Sequence, residues 1–283
     1  MSTEQPSRHP SIQNLNDQQY ASIDAINFSS FKHFLKSPLH YKNYLKSKQE
    51  ETDAMRLGRA IHCAVLTPHL FLDMFAVAPM LDKRRTEDKR IWNEFKEQNA
   101  GKTIISHDDI SIVLGIQEQF KLNPYFKFLN NDKCYIEQVV TSNLFGVEIK
   151  GRVDLYDPKS NTLYDVKSIS KTPTVKNCNR AIEDSFYYVQ AYFYAHSIKE
   201  IFGKWPTYTL AFVEKEEPFS IGHVTLSDLW FNKARITLEK ELHRFQNCVI
   251  ADLWPSMLHS TIPAIVSPYG GDSEEHTQEH VID

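Results

Sequence analysis

Residues 151–167, GRVDLYDPKSNTLYDVK, decide how this chain is read. Residues 147–156 alternate as a strand does, Asp157-Pro158-Lys159-Ser160-Asn161 is turn chemistry, and residues 162–169 read as a second strand. The stretch therefore predicts a β-hairpin. Because side chains alternate across a strand, Asp165 and Lys167 project from one face, about 7 Å apart, and Asp154 can sit opposite them. Two carboxylates beside an ammonium group suit a hard divalent cation and charge stabilisation at a phosphate. D-x-K pairs are also common on solvated strands, where they contribute little, so the surrounding sequence has to decide between the two.

The chain has 283 residues, 41% of them hydrophobic, enough for a sizeable core in one large domain or two ordinary ones. Lys and Arg total 32 against 36 acids, a net charge of −4, so no global field draws nucleic acid and any such contact needs a local basic patch. No apolar run has membrane-spanning length and the first residues lack a signal-peptide apolar region, which predicts a cytoplasmic protein without membrane contact. Cys63, Cys134, Cys178 and Cys248 are scattered, without a C-x-x-C pair, which speaks against a zinc knuckle or a disulfide framework.

Working outward, residues 133–141 predict the strand before the hairpin, with Tyr135, Glu137, Val139 and Thr141 on one face. Glu137 there is a secondary candidate metal ligand. Residues 52–66 predict a helix on which Gly58 and His62, four apart, share a face; the glycine is read as letting another backbone approach the histidine. His62 is a satisfied core residue, a metal ligand or a phosphate contact. After a polar connection at 168–179, residues 180–201 predict one long aromatic helix carrying Gln190 and Tyr194 at i, i+4. A hairpin around Glu216-Glu217-Pro218 and an amphipathic helix at 227–249 follow. Toward the N-terminus, residues 31–49 hold several lysines and no acid, and Lys32, Lys36 and Lys42 are candidate phosphate contacts. Arg84 and Arg85 in a charged segment are further ones. Residues 1–26 are read as a flexible leader and 256–283 as a disordered acidic tail.

Taken in order, the Gly58–His62 helix, the Glu137 strand, G-R-V-D at 151–154, D-V-K at 165–167 and Q-x-x-x-Y at 190–194 resemble the PD-(D/E)xK nuclease superfamily in its RecB-like branch. With NFSSFKHFLKSPLHYKNYL at 27–45 and AMRLGRAIHCAVLTPHLF at 54–71, the chain looks most like RecE-type exonucleases, also called exonuclease VIII, over residues 27–255. Val153 stands where the superfamily's proline would precede the first Asp, a departure common in this branch.

The resemblance implies an α/β fold, a restriction-endonuclease-like central mixed sheet flanked by helices with an N-terminal helical extension. It implies that Asp154, Asp165, His62 and the Val166 carbonyl bind Mg²⁺, with Mn²⁺ as substitute, that Lys167 assists the attacking water, and that Gln190 and Tyr194 support the site. It further implies 5′ to 3′ degradation of linear double-stranded DNA that leaves 3′ single strands for phage-type recombination, a homo-oligomeric ring, and a single-strand annealing protein as partner. Some relatives carry an iron–sulfur cluster; the scattered cysteines predict none here. Two other readings keep the fold: a non-catalytic DNA-binding or nuclease-interacting module, and an endonuclease or RNase. Retention of Asp154, Asp165 and Lys167 together favours the enzyme over the module.

Overall fold

The structure, a computed structural model, describes residues 10–47, 50–81, 84–126 and 133–256. In chain order come β1 (Ser11–Gln13), α1 (Asp17–Ser22), β2 (Ile26–Asn27), α2 (Phe28–Phe34), α3 (Pro38–Lys46), α4 (Asp53–Leu66) and α5 (Phe71–Met74). Next are β3 (Phe75–Val77), α6 (Thr86–Gln98), β4 (Thr103–Ile105) and α7 (His107–Leu122). The second half holds β5 (Tyr135–Leu144), β6 (Val147–Asp157), β7 (Thr162–Ile169), α8 (Val175–Asp184), α9 (Tyr187–Phe202), β8 (Thr207–Glu214), β9 (Ile221–Thr225) and α10 (Asp228–Ala251).

The central sheet is mixed and runs β1-β5-β6-β7-β8-β9, with β2 added alongside β6. The β7–β8 and β2–β6 pairs are parallel and the others antiparallel. β3 and β4 form a small separate parallel pair. The predicted hairpin is present: Asp157 accepts the N–H groups of Lys159 and Ser160, and Asn161 takes the left-handed conformation that closes the turn.

Helices cover both faces. On one, Phe31 and Phe34 of α2, Val189 and Phe193 of α9 and Leu238 of α10 pack against Ile149, Val153, Leu210 and Phe212. On the other, Ile61 and Val65 of α4 and Val113 and Ile116 of α7 meet Leu155, Val166, Ala211 and Val213. Strand β8 sends Leu210 and Phe212 one way and Ala211 and Val213 the other, so its apolar run is what burial on both faces requires. Local signals set the helix ends: Thr52 accepts the Met55 N–H to start α4, Ser106 and Asp109 form a capping box on α7, and Gly203 stops α9 at φ 78°.

Three features differ from the sequence reading. The sheet begins before residue 27, since β1 pairs with β5, and buried Lys150 donates to the carbonyls of Tyr20 and Ile23; the leader is docked from residue 10 onward. The single helix expected at 180–201 is two, because Phe186 is left-handed at φ 55°. Aromatic periodicity runs through that break and hides it. The connection at 168–179 is likewise half helical, as the Thr174 hydroxyl accepts the Asn177 N–H and starts α8. The acidic tail beyond Ser256 lies outside the described residues. Among those described, no helix is long and apolar enough to cross a membrane.

Candidate functional site

The site forms where the sheet comes apart. The β6–β7 ladder ends at the pair Leu155 and Tyr164. One step on, where Asp154 would face Asp165, the strands separate and Asp154 Oδ2 accepts the Val166 N–H at 2.8 Å. On its other side β6 pairs with β5 at Leu155–Ile136 and Val153–Gln138, bracketing Asp154 and Glu137. Alternation breaks there: Val153 belongs to the core under α9 and Leu155, only two residues on, to the core under α4. Glu137 has φ 51°, a conformation unfavourable for a side chain of its size. It therefore does not share a regular strand face with Tyr135 and Val139, as alternation had predicted.

Asp165 is the closed end of the site. Lys167 Nζ donates to its Oδ1 at 2.6 Å and Tyr208 Oη, from β8, donates to its Oδ2 at 2.9 Å. The Asp165 side chain is 2% exposed and that of Lys167 14%. Burial disfavours charge on both, yet each outweighs it for the other: the ammonium holds Asp165 below the usual carboxylate range, and Asp165 with Asp154 raises Lys167. Lys167 Nζ also lies 5.1 Å from the Tyr187 ring centre.

The other end is open and short of partners. His62 Nε2–H donates to the Val166 carbonyl at 2.8 Å, while its Nδ1 faces Asp154 Oδ2 at 3.5 Å. Burial, then Lys167, holds the imidazole below its usual pKa, so it is neutral near pH 7 and Nδ1 carries a lone pair. Two acceptors thus point at each other. Glu137 joins them: ligand atoms of His62, Glu137 and Asp154 all lie within 4.8 Å of one another. Burial, then Asp154, pushes Glu137 up to about 7, and burial, then Asp165, raises Asp154 well above the carboxylate range. Such a cluster binds either protons or a cation.

Gln190 and Tyr194 meet as their spacing predicted, Gln190 Nε2 donating to Tyr194 Oη at 3.2 Å. Burial and the Asp165 charge raise the Tyr194 pKa well above its usual value, so the ring stands neutral beside the acids. Its ring also explains Gly151, where a Cβ would sit 2.2 Å from Tyr194 Cε1. Gly58 is different. No atom beyond its own stretch of helix lies within 4 Å of where its Cβ would be, so it does not admit another close backbone. It borders instead a cleft of about 670 Å³ lined by Arg59, His62, Glu137, Arg152 and leader residues Asn14 to Asp17.

The basic candidates separate. Lys32 is exposed, and partial burial followed by the Lys36 and Lys167 charges lowers its pKa, which places it in electrostatic reach of the site. Lys42 is partly exposed, pairs with exposed Asp252 at 3.2 Å and lies 4.8 Å from the Trp254 ring centre. Arg84 and Arg85 are exposed just before α6. Sequence reasoning missed Tyr208, Arg59 and Arg152. Arg152 contacts Asp17, both lining the cleft, at 2.9 Å, and Arg59 contacts Glu51 at 2.8 Å. A tyrosine in a buried strand looks like core, and nothing in its spacing reveals the carboxylate it serves.

A mixed sheet that parts beside two aspartates and a D-x-K lysine, with a histidine helix on one side and a Q-x-x-x-Y helix on the other, defines a PDDEXK-like nuclease fold. The chain belongs to the DUF3799 family, described as a PDDEXK-like domain of unknown function, whose profile matches residues 27–260. Among solved structures, a protein from Eubacterium rectale bearing the name "putative exonuclease" aligns at 15% identity over 85% of this chain and 88% of its own, with a TM-score of 0.61. The protein SSO0001 aligns at 14% identity over 81% of this chain and 97% of its own, at a TM-score of 0.28, too low to bear on the fold. No curated protein sequence matches the chain.

Proposed function

We propose that this protein is a divalent-metal-dependent deoxyribonuclease acting as an exonuclease on linear duplex DNA. The observation that carries the reading is the placement of a cation-ready triad, His62, Glu137 and Asp154, next to the Asp165–Lys167 pair and beside an open cleft. The donor set fits Mg²⁺ or Mn²⁺: carboxylate oxygens with one neutral imidazole, in a cluster where burial and mutual repulsion outweigh the nearby Lys167 and Arg152 charges and leave both acids raised. Asp165 and the Val166 carbonyl adjoin the triad and complete the surroundings the resemblance implies.

A bound divalent ion supplies Lewis-acid stabilisation of the phosphate and a lowered water pKa. The chain's own residues do the rest. Lys167, charged and fixed by Asp165, presents an ammonium group to the charge that develops on phosphorus oxygens. Tyr208 keeps Asp165 from rotating away from it. Gln190 and Tyr194 close the site under α9, while Arg59 and Arg152 offer guanidinium groups to the DNA backbone along the cleft. Lys32 extends that path.

By resemblance to RecE-type enzymes, the reaction runs 5′ to 3′ and leaves 3′ single strands for recombination, in a ring that works with a strand-annealing protein. The test is degradation of linear 5′-phosphorylated duplex against closed circular DNA and RNA, with Mg²⁺, for wild type and Lys167→Ala. Loss of linear DNA only, abolished by the substitution, is expected. Cleavage of circles or RNA favours the endonuclease or RNase reading, and binding without cleavage favours the non-catalytic module.

A further inference from the structure

Two stretches of this chain are charged in opposite senses. Residues 31–49 hold five lysines and no acid, whereas residues 256–283 hold five acids and no lysine or arginine. The fold brings the start of the second to the middle of the first. The Pro255 carbonyl accepts the Leu39 N–H at 3.2 Å, the Trp254 ring stacks on Tyr41 with centres 5.6 Å apart, and Asp252 pairs with Lys42 at 3.2 Å. Ser256, the last described residue, therefore leaves from the first turn of α3, close to Lys36 at the end of α2.

The surface met there is short of negative charge. Lys32, Lys36 and Lys46 are exposed, and among the described residues they make no ion pair. After burial, the influences that lower the Lys32 pKa are Lys36 and Lys167, and those that lower His33 are Lys32, Lys36 and His40. All of these neighbours are basic groups, so the surface suits an anion.

We propose that this face of α2 and α3, with Lys32, Lys36 and Lys46, is the docking surface of the chain's own acidic segment at 272–283, which lies outside the described residues. Charge and reach select that occupant. Asp272 follows Ser256 by sixteen residues, a span of up to roughly 50 Å when extended, whereas α2 and α3 are about 10 and 14 Å long at their helical rise. The tether also gives the segment an effective concentration that acids of another molecule lack. Single exposed ion pairs contribute little, so the contact needs several together and weakens with salt. DNA phosphates are the competing anion, and Lys32 lies in electrostatic reach of Lys167. The segment therefore holds the approach to the site until DNA displaces it; this consequence rests on the nuclease reading, whereas the docking does not.

Zero-length carbodiimide cross-linking of the dilute full chain, read by mass spectrometry of the monomer band, tests the docking. Links from the segment's acids to Lys32, Lys36 or Lys46 are expected at low salt and should vanish in about 1 M salt, where the screening length is about 3 Å. Duplex binding in chelator tests the competition. The full chain carrying Asp272→Asn, Glu274→Gln, Glu275→Gln, Glu279→Gln and Asp283→Asn should bind DNA about tenfold more tightly than wild type at low salt. Adding Lys32→Gln and Lys36→Gln to both proteins should remove that difference. Folded wild type without these links, or with links only between two chains, overturns the proposal. So does a gain in DNA affinity that survives the two lysine substitutions, since general repulsion would then explain it. Links with no DNA binding by either protein uphold the docking and remove the nuclease reading.

Discussion

The two ends of the site, a few side chains apart, are built on opposite principles. Around Asp165 every polar atom in view has a partner: both carboxylate oxygens are held, by Lys167 and Tyr208, and the pKa shifts of Asp165 and Lys167 favour the charged forms. Around Asp154 the reverse holds. His62 Nδ1 faces a carboxylate oxygen, Glu137 sits on strained backbone, and both acids are pushed toward protonation. The difference teaches which end is finished. The Asp165 end is preorganised by the protein alone, whereas the Asp154 end, in the function proposed above, is the one a cation completes.

The comparison breaks most readily at Lys167. Lys167→Met should lower DNA cleavage by about a thousandfold or more while Mn²⁺ binding survives, since the triad is intact; single-turnover cleavage and a metal titration on the same protein check both halves. Next come the two glycines. Gly151→Ala drives a methyl group into the Tyr194 ring and should cost about 2–3 kcal/mol. Gly58→Ala opens onto the cleft and should stabilise the helix by up to about 1 kcal/mol. Urea unfolding of each measures the contrast, and equal losses would mean the two ends are packed alike.

The pH dependence comes third. Glu137 has a folded pKa of about 7 against an ordinary 4.5, so between these values the folded state binds more protons than the unfolded one. Stability without metal should therefore fall as pH rises from about 4.5 to 7, and Asp154, raised in the same direction, adds to the fall. Glu137→Gln should flatten that slope, and metal affinity should rise with pH over the same range. Thermal melts in chelator across pH 5 to 8 read the sign. Smallest is Tyr208→Phe, which leaves Asp165 Oδ2 without its donor and should cost about 1–2 kcal/mol, with little change in Mn²⁺ affinity. A large drop in that affinity would place Asp165 among the direct ligands.

Much of this was legible because the chemistry is local. The hairpin of β6 and β7 follows from alternation and turn residues, Asp165 and Lys167 share a face because they are two apart, and Gln190 meets Tyr194 because they are four apart. What stayed hidden depends on long-range geometry. That the ladder ends before Asp154 and Asp165 would pair is a property of how the strands meet in space, and Glu137 joins the triad from backbone that leaves the alternating pattern. Gly58 and Gly151 cannot be told apart without knowing which one faces an aromatic ring. Nor could Lys42's pairing with Asp252 and its place over Trp254 be read, since these partners lie some 210 positions away in the chain.

Everything proposed for this site turns on whether the His62, Glu137 and Asp154 end holds a cation. Isothermal titration of Mn²⁺ into wild type and Asp154→Asn at pH 7.5 tests it most directly, with a thermal melt of each to confirm folding. The expected result is saturable binding by wild type that vanishes in the folded Asp154→Asn protein. Absence of binding by folded wild type, or equal binding by both, would contradict it.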